Sequence, residues 1–250
     1  MQNKHVGDIG DFGKYALLRT LFQTSSYKLG INWYLAETEN TKNNDSRYTE
    51  YLNLDPMNPK PKLEKEYRPC DKELYRTLQH MVAGGNRSVT EIENSKILGE
   101  NTIFYTDLLG NTDRETWHKN GLKFLKKADF VFFDPDHGLE IESCPKNHKN
   151  HVKYIFFDEL ADYFKRGQSL IVYSHRDRKP EKEYIKRFLK IKRYIKKEIG
   201  LIGLLRFNHY SVRDYLFVLQ PEHTEYIQHI IDHKMDQEEV GKLFHLIDMQ

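Results

Sequence analysis

Two kinds of apolar segment alternate along the chain. Short runs rich in aromatic and β-branched residues, typical of buried strands, occupy residues 31–36, 102–105, 128–133 and 169–173. Other segments repeat apolar residues every three or four positions, as one face of a helix does. This spacing predicts helices over residues 14–24, 71–83, 114–127, 152–165 and 181–198.

The order of these elements predicts the fold class. Strands that alternate with helices favour a doubly wound parallel sheet, and the very apolar run at 130–133 suits its centre. Two closing strands, at 203–207 and 215–219, are joined by residues 208–214. We expect the last strand to run antiparallel to its neighbours. The prediction is an α/β fold with a Rossmann-like, methyltransferase-type sheet, mostly parallel with an antiparallel strand near the C-terminus.

Residues 37–101 interrupt the alternation. The segment begins with a run rich in Asn and Asp and continues through four prolines. A helix then follows, with Asp71 as its predicted N-cap. We expect a single domain over residues 1–250, in which residues 37–101 form an insertion or a lid over the sheet.

Composition narrows the class of protein further. An apolar fraction of 38% indicates a globular chain, and no apolar run approaches the length of a membrane span. The first residues lack the apolar core of a signal peptide. Cys70 and Cys144 show no CxxC spacing, which favours reduced thiols. We therefore expect a cytoplasmic protein that does not associate with membranes.

Ligands of doubly wound sheets bind at the carboxyl ends of the strands. Asp134, Asp136 and His137 directly follow the most apolar strand, and His175 follows the next one. These four residues are the candidate catalytic groups. The alternative for the acids is an ordinary Asp-Pro turn in solvent. The alternative for His175 is a buried, hydrogen-bonded histidine.

A glycine-rich segment before the first helix is a second candidate. Three glycines alternate with two acids there, which allows the backbone to approach a ligand closely. Lys14 opposes the helix dipole and so suggests a carboxylate or phosphate partner, whereas Asp11 could simply cap the helix. The candidate cofactor-binding residues, including one after the first predicted strand, are His5, Gly7, Asp8, Asp11, Lys14 and Glu37.

The net charge is only +2, but residues 176–197 contain eleven Lys and Arg and three acids. Such a surface can bind the phosphates of RNA or DNA, although it can also be a solvated helix face. The candidate nucleic-acid contacts are Arg176, Arg178, Lys186, Lys190, Arg193 and Lys197.

These motifs resemble those of known families. The order His5, Gly7-Asp8, Asp11 and Lys14 before a helix and a strand is similar to the opening of the adenine-N6 methyltransferases of large-subunit ribosomal RNA. Asp134-Pro135 matches the start of their catalytic Asp-Pro-Pro-Tyr turn. The chain also resembles an uncharacterised bacterial family with the signatures HVGDIGDFGKYxLLR, WYL, FFDPDxGLE and YxH.

The first resemblance implies that S-adenosylmethionine is the methyl donor and that a base amino group is the target. It further implies that Lys14 contacts the carboxylate of the donor and that Asp134 holds the target amine. One feature departs from this pattern, because residues 35–40 contain no glycine where such enzymes have a glycine-rich loop.

Two other functions therefore stay open. One is a hydrolase or nuclease that uses Mg²⁺ or Mn²⁺, with Asp8, Asp11, Asp134, Asp136 and His175 around the metal. The other is a non-catalytic binding protein that kept the fold. The sequence predicts no oligomeric state.

Overall fold

A seven-stranded sheet forms the centre of the computed structural model, which describes residues 3–36, 46–110, 113–235 and 237–249. Two short strands pair separately, beside the sheet. In chain order the strands are β1 (Leu29–Asn32), β2 (Ile103–Tyr105), β3 (Phe130–Phe133), β4 (Gly138–Leu139), β5 (Tyr154–Ile155), β6 (Ser169–His175), β7 (Leu201–His209), β8 (Ser211–Leu219) and β9 (Phe244–Ile247).

The strand order of the main sheet is β2-β1-β3-β6-β8-β7-β9. The first four strands are parallel, β8 lies antiparallel between β6 and β7, and β9 pairs antiparallel with β7. This arrangement confirms the predicted α/β fold, including the antiparallel strand at 215–219. The apolar strand β3 lies inside the sheet and is fully buried, as predicted.

Helices cover both faces of the sheet. They are α1 (Ile9–Phe22), α2 (Pro61–Tyr67), α3 (Lys72–Ala83), α4 (Val89–Asn94), α5 (Arg114–Phe124), α6 (Phe157–Lys165), α7 (Glu181–Leu189) and α8 (Pro221–His229). Along β3, Phe132 packs into the core beneath α1, α3 and α8, whereas Val131 and Phe133 pack beneath α5, α6 and α7. This alternation gives one apolar core on each face. None of the described helices is long and apolar enough to cross a lipid bilayer.

The first strand begins and ends earlier than predicted. It spans Leu29–Asn32 and not 31–36, and Gly30 lies inside it. A Cβ at position 30 would lie 2.9 Å from the Cβ of Ala128, so glycine permits this close packing. The chain leaves the strand at Trp33 and turns at Tyr34, whose φ is 49°.

Three helix boundaries also differ from the predicted ones. Helix α1 starts at Ile9, with Asp8 and not Asp11 as its N-cap. The segment predicted as a helix from 152 contains the strand β5, and α6 begins only at Phe157. Helix α7 ends at Leu189 and continues as a 3-10 turn (Lys190–Arg193), so the helix predicted over 181–198 is half as long.

The described part of the predicted insertion, residues 46–101, joins β1 to β2. It contains a 3-10 helix (Ser46–Leu52), α2, α3 and α4, and Asp71 caps α3 as predicted. Tyr51, Tyr67 and Leu74 are buried in the same core as α1. The closing strand pair is longer than predicted and turns at Tyr210, so residues 208–214 belong largely to the strands.

Candidate functional site

A cavity of about 1280 Å³ opens at the carboxyl ends of β3 and β6. Nearly all the residues predicted around the catalytic turn and the N-terminal segment line it, namely His5, Asp8, Asp11, Lys14, Asp134, Asp136, His137 and His175. Gly7 does not line the cavity, but its backbone N–H donates to Asp11, which does. Glu37 falls outside the described residues. The structure therefore brings together two motifs that are far apart in the sequence.

The N-terminus of α1 forms one wall of the cavity. The Oδ1 atom of Asp8 accepts the backbone N–H of Asp11 at 2.8 Å, which is an N-cap bond. The Oδ2 atom of Asp11 accepts the N–H of Gly7 at 3.2 Å and the hydroxyl of Tyr15 at 3.2 Å. Gly7 adopts a φ of 83°, in the region that favours glycine. The glycine-rich segment is thus a turn at Gly7 followed by the start of α1, and it positions two carboxylates.

Lys14 lies between two of the buried carboxylates. Its Nζ atom is 2.7 Å from Oδ1 of Asp11 and 2.7 Å from Oδ2 of Asp134. The three residues are at most 4% exposed. The carboxylate partner that Lys14 was predicted to need is therefore part of the protein itself.

Burial and charge act against each other in this network. Burial raises the pKa of Asp11 and of Asp134, and the ammonium of Lys14 opposes that rise. Burial also lowers the pKa of Lys14, but the two carboxylates outweigh it and the net shift is upward. Lys14 consequently keeps its proton at neutral pH and holds the acids in place.

Arg213 contributes a second cation, which sequence reasoning missed. It lies on β8 opposite His175, is 5% exposed, and places Nη2 4.0 Å from Oδ2 of Asp8. A Cβ on Gly10 would lie 2.2 Å from its Nε atom, so the guanidinium packs directly on α1. Only the sheet topology could have identified Arg213. It lies at the start of the antiparallel strand β8, which is beside the end of β6.

Two histidines complete the wall. The Nε2 atom of His175 lies 2.9 Å from the hydroxyl of Tyr173, and burial, with the charge of Arg213, lowers the pKa of His175 to about 4. The Nδ1 atom of His137 lies 3.0 Å from the hydroxyl of Tyr154. Burial, with the charge of Lys153, lowers the pKa of His137. His175 is therefore a neutral imidazole at pH 7.

The mouth of the cavity is basic. Four of the six predicted phosphate contacts line it, namely Arg176, Lys186, Lys190 and Arg193. Arg178 is exposed outside it, and Lys197 donates to the carbonyl of Lys165 at 2.6 Å. Arg176 is also bound internally, since it pairs with Glu181 at 3.1 Å. Lys190 pairs with Glu142 at 3.1 Å, but the Glu142 side chain is exposed and solvent weakens such a pair. Of the predicted contacts, Lys186, Lys190 and Arg193 therefore best present their charge to a ligand.

The acids of the cavity do not form a metal-binding group. Within the described ranges, no three His, Cys, Asp or Glu side chains are arranged to hold a metal ion. The ammonium of Lys14 lies between Asp11 and Asp134, two of the residues predicted for Mg²⁺ or Mn²⁺.

Comparison with known proteins gives no family assignment. No protein-family model matches the chain, and no curated protein sequence matches it significantly.

Proposed function

We propose that the protein is a nucleic-acid-modifying enzyme that acts on the exocyclic amino group of a base. Methyl transfer to an adenine amine, in RNA or DNA, is the reaction that the sequence resemblance implies. The proposal is supported chiefly by one observation: a basic mouth and a floor of buried carboxylates belong to the same cavity. Phosphates are recognised by cations, and amino groups are recognised by acceptors.

Asp134 is the residue we assign to the target amine. It follows the central strand β3, its backbone N–H donates to the carbonyl of Asn32 at 3.0 Å, and Lys14 fixes its side chain. A carboxylate has about four lone-pair sites, so Asp134 can accept from an amino group in addition to its existing partners, of which Lys14 is one. Accepting a hydrogen bond from the amine would hold the amino nitrogen in a fixed orientation in the cavity.

The described residues do not fit S-adenosylmethionine in the manner that the resemblance implies. Lys14, the residue assigned to the donor carboxylate, is buried between Asp11 and Asp134. After β1, where donor-binding enzymes have glycines, the chain places the buried side chains of Trp33 and Tyr34. These side chains do not line the cavity. We therefore assign no residue to a donor and no step to it.

The chain's own residues would bind and orient the substrate. Lys186, Lys190 and Arg193 would contact phosphates, Asp134 would accept from the amino group, and the ion pairs with Lys14 would keep the floor rigid. Preorganised polar groups of this kind stabilise a charged transition state without having to move during the reaction.

Two measurements test the proposal. Calorimetry with S-adenosylmethionine measures donor binding, and transfer of a labelled methyl group to RNA and DNA measures the reaction. We expect Asp134→Ala, which removes both acceptor oxygens, to lower the transfer rate about 100-fold, a typical cost of losing one preorganised polar group. Asp158→Ala is the matched control, because Asp158 is exposed and pairs with Lys146 outside the cavity floor.

The outcomes separate the parts of the proposal. Nucleic-acid binding without methyl transfer would exclude the reaction but keep the base-binding site. Equal activity of the two variants would exclude Asp134 as the group that holds the amine. Failure of RNA, DNA and nucleotides to bind would overturn the proposal as a whole.

A further inference from the structure

The tautomer of His175 follows from its neighbours. Tyr173 and His175 lie two residues apart on β6, so their side chains project from the same face of the sheet, and the Tyr173 hydroxyl lies 2.9 Å from Nε2 of His175. The positive charge of Arg213 lies beside the same hydroxyl and is among the causes that lower the pKa of Tyr173 against the effect of burial. A guanidinium can only donate hydrogen bonds.

This arrangement leaves one favourable direction for the Tyr173 proton. If Nε2 of His175 donated to Tyr173, the hydroxyl hydrogen would need another acceptor. The nearby carboxylates of Asp134 and Asp8 do not serve, because among the described residues His175 has the only acceptor atom within hydrogen-bond distance of this hydroxyl. If Tyr173 donates to Nε2, its oxygen can face the guanidinium of Arg213. Nε2 is then the acceptor, and the single proton of the neutral imidazole resides on Nδ1.

Nδ1 of His175 is accessible from the cavity. Among the described residues Nδ1 has no hydrogen-bond partner. A buried atom without a partner would be an unsatisfied polar group, and Nδ1 is not one of these, so it is exposed to the cavity. His175 lines the cavity together with Asp134. In the parallel pairing of β3 with β6, Phe133 is opposite Val172. Continuing this register places Asp134 at the level of Tyr173, and His175 lies two residues further along β6.

We infer that His175 is a specificity-determining residue that presents Nδ1–H to an acceptor atom of the substrate. The inference rests on the proposed function and deepens it. Asp134 and His175 project from neighbouring strands, about 5 Å apart across the sheet and about 7 Å apart along it. A planar base can span this gap. On either side of its amino group, adenine carries an acceptor ring nitrogen, N1 or N7.

The free protein tests the tautomer directly. Long-range proton–nitrogen NMR spectra of protein labelled in its histidine rings distinguish Nδ1–H from Nε2–H, and His175→Asn identifies the signal. We expect Nδ1–H in the wild type and a shift toward Nε2–H in Tyr173→Phe, which lacks the hydroxyl donor. An Nε2–H tautomer in the wild type would overturn the inference.

Binding of nucleotides tests the recognition. The probes are AMP and its 1-deaza and 7-deaza analogues, each of which replaces one ring nitrogen by C–H. We expect one analogue to bind about three- to ten-fold more weakly than AMP, the effect of one hydrogen bond. His175→Leu should abolish this difference. His175→Asn, which keeps an amide donor near the Nδ1 position, should preserve part of it, and exposed His245→Leu is the matched control.

The results distinguish this inference from the proposed function. If AMP binds but neither ring nitrogen affects its affinity, the role of His175 in recognition is wrong while the proposed function stands. If no nucleotide binds and NMR finds Nδ1–H, the tautomer is correct. The base-directed function, and the assignment of an adenine acceptor with it, is then wrong.

Discussion

The Nζ atom of Lys14 lies 2.7 Å from Oδ2 of Asp134, although the two residues are 120 positions apart in the chain. This contact joins the first helix to the end of the central strand β3. Both side chains are almost completely buried, so the pair forms part of the core and of the cavity floor at once. The same atoms therefore stabilise the fold and form the floor of the cavity.

Lys14→Met should destabilise the protein strongly. The substitution removes the ammonium that lies between the buried Asp11 and Asp134, and breaking a buried ion pair costs about 3–5 kcal/mol. Urea unfolding measures the loss. Lys119→Met is the control, because Lys119 forms an ion pair of 2.6 Å with Glu115 at the surface. Comparable losses in the two variants would contradict the structural role of Lys14.

Gly138→Ala should destabilise the protein more than Gly167→Ala. Both glycines adopt a positive φ, 106° and 92° respectively, so each substitution carries a backbone cost of about 1 kcal/mol. At Gly138 the added Cβ would also lie 2.6 Å from the Cα of Ser174, whereas at Gly167 the space is open. Thermal unfolding compares the two. Equal shifts in Tm would mean that β4 does not pack tightly on β6.

Acid should weaken the folded state through His175. The pKa of this residue falls from its usual 6.5 to about 4 because of burial, with smaller contributions from the charges of Arg213 and His137, while Asp136 and Asp134 act oppositely. Between these two pKa values the unfolded chain binds the proton more readily than the folded one. With respect to His175, the folded state therefore has its full stability above pH 6.5 and loses stability as the pH falls toward 4.

The size of this effect is measured with His175→Asn, which cannot titrate. The stability of the wild type relative to the variant should fall by up to about 3 kcal/mol between pH 7 and pH 4. The two proteins differ only at position 175, so the difference in their stability reports on His175. A pH-independent difference would show that His175 keeps an ordinary pKa.

Charge reversal at the mouth of the cavity should weaken binding to RNA or DNA. Changing Lys186, Lys190 and Arg193 to Glu should lower affinity for all sequences and reduce the slope of log K against log salt by about 2 to 3, since three phosphate contacts are lost. The control reverses three exposed lysines of the same segment that do not line the cavity, Lys182, Lys192 and Lys196. Mobility-shift titrations compare them. Equal losses would indicate non-specific attraction.

The sequence predicted best what local pattern determines. The apolar run of β3 and the cap at Asp71 were recognised because burial and capping leave clear signals in a few residues. The rule that ligands bind at strand ends also predicted correctly that Asp8 and Asp134 line the same cavity. The end of α7 was misplaced because the apolar spacing continues through Ile191 and Ile195, although the helix has already become a 3-10 turn.

The remaining features depend on tertiary contacts. Arg213 could be assigned to the cavity only once β8 was known to start beside the end of β6. The first strand was predicted to begin only after Gly30, because the close approach of this glycine to Ala128 leaves no trace in the neighbouring residues. The ion pairs of Lys14 likewise require the register of α1 over the sheet, which no local pattern encodes.

The position of β8 also affects the order in which the molecule is assembled during synthesis. β6 emerges from the ribosome well before β8, which must later enter between β6 and β7. Until then β6 is an open edge, and pairings between strands distant in the chain form slowly. A nascent chain can already bring Lys14 to Asp134, but Arg213 reaches Tyr173 only at this later step. The cavity is therefore completed by one of the last strands to be translated.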